Sequence, residues 1–262
     1  MHPVLRSLVA ASVVLVAACG DDGRRSSQLT SDVTWHWQLQ GEIDTGLEVD
    51  VYDVDLFEVP DEVLGRLRAD GRIVICYFSA GSYEAWRPDG MAFEPAAVGT
   101  PLDGWEDERW LDIRSATVRD VMTARLDLAA ERGCDGVEPD NVTAHENDTG
   151  FDITSDDQLD YNRFIAEGAR SRGLLVGLKN DLEQIPALVD DFDFAVNEQC
   201  HEFDECDVYA TFADQGKPVF NAEYADEFVA APGDVCMASS ELGVRTIIVP
   251  LDLDGSFRIG CD

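Results

Sequence analysis

The sequence predicts an α/β protein of the (β/α)8 TIM-barrel type, and three observations predict it. Eight strand-like stretches recur, most are separated by helical patterns, and nearly every one ends in a polar group. About 230 residues follow an apolar leader and a polar tether, which is enough for one such core in a single domain over 33–262. No glycine-rich dinucleotide or phosphate-cradling signature follows any strand, which counts against an open nucleotide-binding sheet.

Thr34 to Gln38 (TWHWQ) reads as a short aromatic strand, and Val49 to Leu56 alternates branched or aromatic residues with Asp as the second. Pro60 takes the favoured first-turn position of a helix that Gly71 closes. Arg72 to Ser79 is nearly continuously apolar, as a strand covered on both faces should be. From Ala80 to Arg114 the pattern lapses into a long connection carrying Trp86, Trp105 and Trp110, too aromatic for disorder and read as a functional surface loop. Ser115 is placed to cap a helix in which Val118, Val121, Met122, Leu126 and Ala129 recur near the helical period. Gly133 to Asn141 (GCDGVEPDN) supplies the fourth strand, and Tyr161, Phe164, Ile165, Gly168 and Ala169 mark a helix ended at Gly173. Leu174 to Asn180, a helix through Leu182 to Val189, Phe192 to Gln199 and a helix around Val208 to Ala213 follow. Lys217 to Tyr224, a weaker helical pattern before Gly243, and Thr246 to Asp252 complete the set.

In such a barrel the C-terminal strand ends share one mouth. The residues expected there are Gln38, Asp53, Tyr77 with Ser79, Asp140 with Asn141, Lys179 with Asn180, Glu198, Glu223 with Tyr224, and Asp252. A purely structural barrel has no reason to collect polar groups there, so the convergence favours an enzyme. Two strand ends also present carboxylates, Asp140 after the fourth strand and Glu198 after the sixth. Hydrolysis of a glycosidic bond needs such a pair, one acid to protonate the leaving oxygen and one carboxylate to attack or to activate water. The bland alternative is that these are solvated loop acids in an acid-rich chain. Glu138, two residues before Asp140, is expected on the same side of the strand but deeper, holding a substrate amine or forming part of a polar interior.

The formal net charge of −34 excludes nucleic acid as a partner, since binding a phosphate backbone needs a basic surface. It suits a cationic ligand, although a saline habitat or solubility accounts for it equally well. At the N-terminus, Arg6, the apolar run Leu8 to Ala18 and the small residues before Cys19 follow the plan of a secretory signal. Val16-Ala17-Ala18-Cys19 also resembles a bacterial lipoprotein box. Residues 1–18 are therefore expected to be a removed signal peptide, Cys19 the lipidated residue and 19–32 a flexible tether. The expected product is an exported lipoprotein of the cell envelope, held to a membrane by its lipid alone. Six further cysteines favour disulfides in an exported chain. Cys200 with Cys206 is the expected pair, since a short loop could close between them, Cys236 with Cys261 would pin the C-terminus, and Cys76 and Cys134 are either bridged or buried thiols; six cysteines permit fifteen connectivities, and spacing does not choose among them. Their spacing does not suggest zinc. HExxH and GxSxG motifs are both absent, which sets aside metalloprotease and serine-triad chemistry.

The segments VICYFSAGSYEAWRPD, WLDIRS, GCDGVEPDNV, NDTGF, GLKND, NEQC and KPVFNAEY, spread in order from Arg72 to Tyr224, resemble glycoside hydrolase family 114, the endo-α-1,4-polygalactosaminidase family. The resemblance implies a TIM-type barrel that cleaves α-1,4-linked galactosamine polymers without metal or organic cofactor, with its acidic pair on Asp140 and Glu198. A de-acetylated polymer carries ammonium groups, which a cleft lined by Asp53, Asp140, Glu198, Glu223 and Asp252 would bind through charge-assisted hydrogen bonds. Glu198 is expected to be the general acid and Asp140 the nucleophile, or the base if the reaction inverts. Tyr77, Asn141, Lys179, Asn197 and Tyr224 are candidates for sugar hydroxyls. Two rival readings are a non-catalytic carbohydrate-binding lipoprotein and a glycosidase for another amino-sugar glycan. A structural envelope protein is a third.

Overall fold

Strands and helices alternate from the second strand onward, so the chain builds a parallel sheet with its crossovers on one face. The computed structural model describes residues 29–261; the segment expected to be a signal peptide, Cys19 and most of the expected tether lie outside the described residues. The parallel strands are β1 (Trp35–Gln38), β2 (Val51–Asp55), β3 (Ile73–Ser79), β7 (Gly136–Asp140), β8 (Leu175–Lys179), β9 (Phe194–Glu198), β10 (Val219–Glu223) and β11 (Arg245–Ile248). Each pairs in parallel with the next, and β12 (Ile259–Gly260) runs antiparallel on β11. All eight expected strands are present, within a few residues of the expected bounds.

The helices are α1 (Asp61–Ala69), α2 (Ala116–Arg132), α3 (Ser155–Arg170), α4 (Ile185–Leu188), α5 (Ala210–Asp214), α6 (Asp226–Ala230) and α7 (Pro232–Leu242). Gly133, with φ 77°, ends α2 in the left-handed conformation, and the next N–H, of Cys134, returns to Ala129 O at 3.0 Å. The chain thereby turns straight into β7.

Side chains alternate across each strand, and the alternation divides the apolar residues into two cores. Trp35, Trp37, Val51, Ile73, Ile75, Phe194, Val196, Phe220, Ala222 and Ile247 fill the cylinder. Their neighbours Tyr52, Val54, Val74, Cys76, Phe78, Val137, Val176, Leu178, Ala195 and Val219 face the helices. A side chain at Gly177 would press to 2.3 Å from the Phe194 ring, so the glycine admits that ring to the interior.

β1 and β11 meet without a backbone ladder among the described residues. Side chains close the cylinder instead. Trp35 Nε1 donates to Arg245 O at 2.8 Å, and the Arg258 guanidinium donates to Trp35 O at 3.0 and 2.7 Å. Three disulfides staple the molecule: Cys76–Cys134, Cys200–Cys206 and Cys236–Cys261.

Two expectations need correction. The last parallel strand stops at Ile248 rather than Asp252, because Pro250 has no N–H for a ladder and Leu253 N turns back to Pro250 O at 3.0 Å. The Ala80–Arg114 connection is no plain loop either. It holds a three-stranded antiparallel sheet in the order β4 (Ser82–Glu84), β6 (Trp105–Leu111), β5 (Val98–Leu102). The register shift beside Pro101 and the exposed charges of β6 hide its alternation from a reading by period.

Candidate active site

Strand parity sends Glu138 and Asp140 of β7, Lys179 of β8 and Glu198 of β9 to one side of the sheet, at its C-terminal edge. Their register makes Lys179 the hub. Lys179 Nζ lies 2.8 Å from Glu138 Oε1, 3.3 Å from Asp140 Oδ1 and 3.3 Å from Glu198 Oε2. It also sits over the Trp37 ring, 4.5 Å from the centroid. Tyr77 OH donates to Asp140 Oδ2 at 3.1 Å, and Tyr224 OH donates to Glu198 Oε1 at 2.5 Å. Lys179 and Glu138 are buried, whereas the Asp140 and Glu198 side chains keep 18% and 28% exposure and reach the cleft above.

Burial works to strip the proton from Lys179, but the three carboxylates outweigh it and hold the ammonium well above its usual range. Beneath the ion pair lies Asp53, whose carboxyl is pushed well above the ordinary range by burial and by the charge of Glu138. Neither Asp53 oxygen receives a hydrogen bond from another residue, and neither does Glu138 Oε2. A proton kept on Asp53 supplies the missing donor, so the neutral acid hydrogen-bonds Glu138 while Glu138 holds Lys179.

The backbone is strained where these strands end. Asn141 (φ 60°), Asn180 (φ 49°) and Gln199 (φ 66°) follow β7, β8 and β9 directly in the left-handed region. The turns aim polar groups at the acids: Asn141 N–H donates to Asp140 Oδ1 at 2.7 Å, and Asn180 Oδ1 accepts from Glu198 N at 3.1 Å.

A cleft of about 820 Å³ opens over Asp140 and Glu198. One wall is the small antiparallel sheet with the turn after β4: the turn presents Trp86 and β6 presents Trp105, each about half exposed, together with Glu106, Asp107 and Glu108. A buried ion network braces that wall. Arg87 grips Asp55 through two bonds, 2.9 and 2.7 Å, and Glu84 through a third of 2.8 Å. Arg125 does the same for Asp89, at 2.8 and 2.9 Å, and Phe57 lies 5.0 and 5.1 Å from the two guanidiniums. Burial raises Glu84 to about 7 against the pull of both arginines.

Comparison with known proteins decides what this arrangement belongs to. The sequence profile of glycoside-hydrolase family GH114 matches residues 20–262. The chain belongs to glycoside-hydrolase family GH114. Aspergillus fumigatus Ega3, solved in complex with galactosamine, is 39% identical to this GH114 chain, with 89% of this chain and 97% of that one covered at a TM-score of 0.85. The glycoside hydrolase domain of PelA from Pseudomonas aeruginosa is 14% identical, with 87% and 97% covered at a TM-score of 0.66. A trehalulose synthase, MutB, aligns at 10% identity over 74% and 57% with a TM-score of 0.53. The last two show a shared barrel fold. No curated protein matches this chain.

Against this GH114 site the expected residues divide into three groups. Tyr77, Asp140, Asn141, Lys179, Glu198 and Asp252 line the cleft, and Tyr224 stands behind Glu198. Asp53 and Glu138 lie wholly buried below its floor, out of reach of a sugar, so the expectation that they contact substrate is corrected. Asn197 and Glu223 are corrected too, because their parity turns them outward to the helices. Asn197 Nδ2 donates to Tyr209 OH at 2.9 Å, while Glu223 Oε1 accepts from His201 N at 2.8 Å and Asn221 Nδ2 at 3.0 Å. Of the three tryptophans in the long connection, Trp110 is buried in the outer core and the other two face the cleft. No local pattern announces the Arg87–Asp55 pair, which joins segments 32 residues apart, although Glu84 and Arg87 stand only three residues apart. Trp37 was within reach: it is two residues from Trp35 on an aromatic strand and shares its inward side.

Proposed function

We propose that this GH114 enzyme cleaves α-1,4-linked galactosamine polymer, preferring the de-acetylated cationic form, with Asp140 and Glu198 as the carboxylate pair. The observation that carries the reading is the shared ammonium: both acids lie 3.3 Å from Lys179 Nζ and are the members of that cluster exposed to the cleft. The two oxygens facing Lys179 are therefore separated by at most twice that distance. That limit is compatible with the about 5–5.5 Å carboxyl separation of retaining enzymes, the outcome proposed here.

Asp140 is the nucleophile on this reading. Three donors address its oxygens, Tyr77 OH on Oδ2 and the Asn141 N–H with Lys179 on Oδ1, against two on Glu198, Tyr224 OH and Lys179, which suits Asp140 as the group that accepts throughout. Glu198, the more exposed of the two, protonates the leaving oxygen and later takes a proton from water. Lys179 offsets part of the repulsion between the two acids.

Substrate preference follows from the cleft walls. Glu58, Glu106, Asp107, Glu108 and Asp252 contribute carboxylates, whereas the cleft's Arg87 and Lys179 are committed to ion pairs, Arg87 with the buried Asp55. Ammonium groups of a galactosamine chain are attracted there, and the exposed faces of Trp86 and Trp105 offer cation–π and stacking contacts. The similarity to Ega3, which was solved with galactosamine, supports the same sugar. We also propose that the enzyme is exported and anchored through lipid on Cys19; incorporation of a fatty-acid label that disappears in Cys19→Ala tests this.

The deciding experiment incubates the full chain with α-1,4-galactosamine oligomers of defined acetylation and reads products by mass spectrometry and the first-formed anomer by NMR. The expected result is cutting of de-acetylated oligomers with retained α configuration, lost in Asp140→Asn and Glu198→Gln while oligomer binding persists. A wild type that binds and never cuts would establish a carbohydrate-binding protein instead.

A further inference from the structure

The loops after β7 and β8 gather a second set of donor atoms, apart from the lysine-centred cluster. Short 3-10 turns, Ala144–Glu146 after β7 and Leu182–Gln184 after β8, bring a ring nitrogen of His145 and carboxylate oxygens of Glu146 and Glu183 within 4.8 Å of one another. The His145 side chain is only 5% exposed, yet neither ring nitrogen has a hydrogen-bond partner. Its Nε2 faces Glu146 Oε1 at 3.6 Å, too far for a hydrogen bond. A buried imidazole without a partner is costly, and such a group calls for a ligand. Asp181 lies in the same electrostatic neighbourhood, feeling the charges of Glu146 and Glu183, and its buried Oδ1 also lacks a donor. Acceptors are in excess here.

We propose that His145, Glu146 and Glu183 form a binding site for a divalent transition-metal ion, for which Zn2+ is the best match. One imidazole nitrogen and two carboxylate oxygens are a ligand set that Zn2+ takes at about 2.0–2.2 Å, with a remaining position for water. Ca2+ and Mg2+ prefer all-oxygen shells and more ligands. Both glutamates are exposed, so their side chains are free to swing inward and close the 4.8 Å span to bonding distances, while His145 is already fixed. The ion's two positive charges offset the two carboxylates. Bound there, it ties the turn after β7 to the turn after β8. Asn141, Val142, Thr143 and Asn180, which lead into those turns, line the cleft, so the ion stiffens one cleft wall.

Zn2+ binding at His145, Glu146 and Glu183 does not depend on Asp140 and Glu198 being the catalytic acids. Zn2+ is titrated into the chelator-treated full chain by calorimetry, and thermal unfolding is followed with and without the ion. The expected result is one ion bound per chain, a rise in Tm on adding Zn2+, affinity at least tenfold weaker in Glu146→Gln and Glu183→Gln, and a larger loss in His145→Ala. The two glutamine variants change exposed residues and keep the fold measurable should His145→Ala not fold. The absence of saturable binding would overturn the proposal. So would binding that is unchanged in Glu146→Gln and Glu183→Gln, since the ion would then be adventitious only.

Discussion

Lys179 Nζ and Glu138 Oε1 form a 2.8 Å ion pair with 1% and 0% of their side chains exposed, at the base of a cleft that opens onto two further acids. The pair is the foundation of the site. Removing one partner of a buried pair costs about 3–5 kcal/mol, because the other is left charged and desolvated. Lys179→Met is expected to lose stability in that range at pH 7 and to lower kcat/KM by on the order of 10²-fold or more, as loss of a fixed electrostatic group does. Glu138 is already raised by burial, so without Lys179 it takes a proton, and the stability gap to wild type should narrow towards pH 5. Denaturant titrations at the two pH values check this; a gap that widens on acidification would contradict it.

Asp53 gives a pH dependence of opposite sense to a paired surface acid. Its proton is retained in the folded state and released in the unfolded chain above about pH 4. Stability from this group is therefore complete below that pH and is lost as pH rises towards the raised folded value. Asp53→Asn keeps a donor for Glu138 and removes the titration. The variant should fold, and its stability should fall less steeply from pH 4 upward, by at most about 1.4 kcal/mol per pH unit, the limit for one proton. Equal slopes in the two proteins would show that Asp53 is ionised when folded.

Tyr224 OH donates to Glu198 Oε1 at 2.5 Å. A hydrogen bond to a charged group contributes about 1.5–3 kcal/mol, so Tyr224→Phe should lower kcat by about 10- to 150-fold if the bond is made in the transition state. KM should change little, since Tyr224 stands behind the acid and outside the cleft lining. Steady-state kinetics on one defined oligomer separates the two; an effect confined to KM would place Tyr224 in substrate binding instead.

Trp86 and Trp105 are 53% and 51% exposed, and they support the cleft wall without filling a core. Replacing either with Ala should leave Tm nearly unchanged and weaken binding of a cationic oligomer by several-fold, about 0.5–1 kcal/mol for an exposed cation–π contact. The loss should shrink for fully acetylated oligomer, which has no ammonium to place on the ring. Calorimetric titration of both oligomers makes the comparison.

Much of this protein was legible in the chain alone. Apolar and alternating runs located all eight parallel strands, and the strand ends named Asp140, Lys179 and Glu198, because period, turn residues and strand length are local properties that neighbouring residues carry. The motifs from Arg72 to Tyr224 also pointed to the family. Which of the polar strand ends share a site was decided by the tertiary structure. Parity is fixed by register and twist: Glu198 turns into the cleft, whereas Glu223 ends the next strand one residue past Ala222, the register partner of Glu198, and so turns out towards His201. Charge pairing is decided there as well: Lys179 meets Glu138, Asp140 and Glu198, and Arg87 meets Asp55, only when distant segments fold against one another. The same holds for the proton on Asp53, which is an outcome of burial beside Glu138 and has no counterpart in composition or spacing.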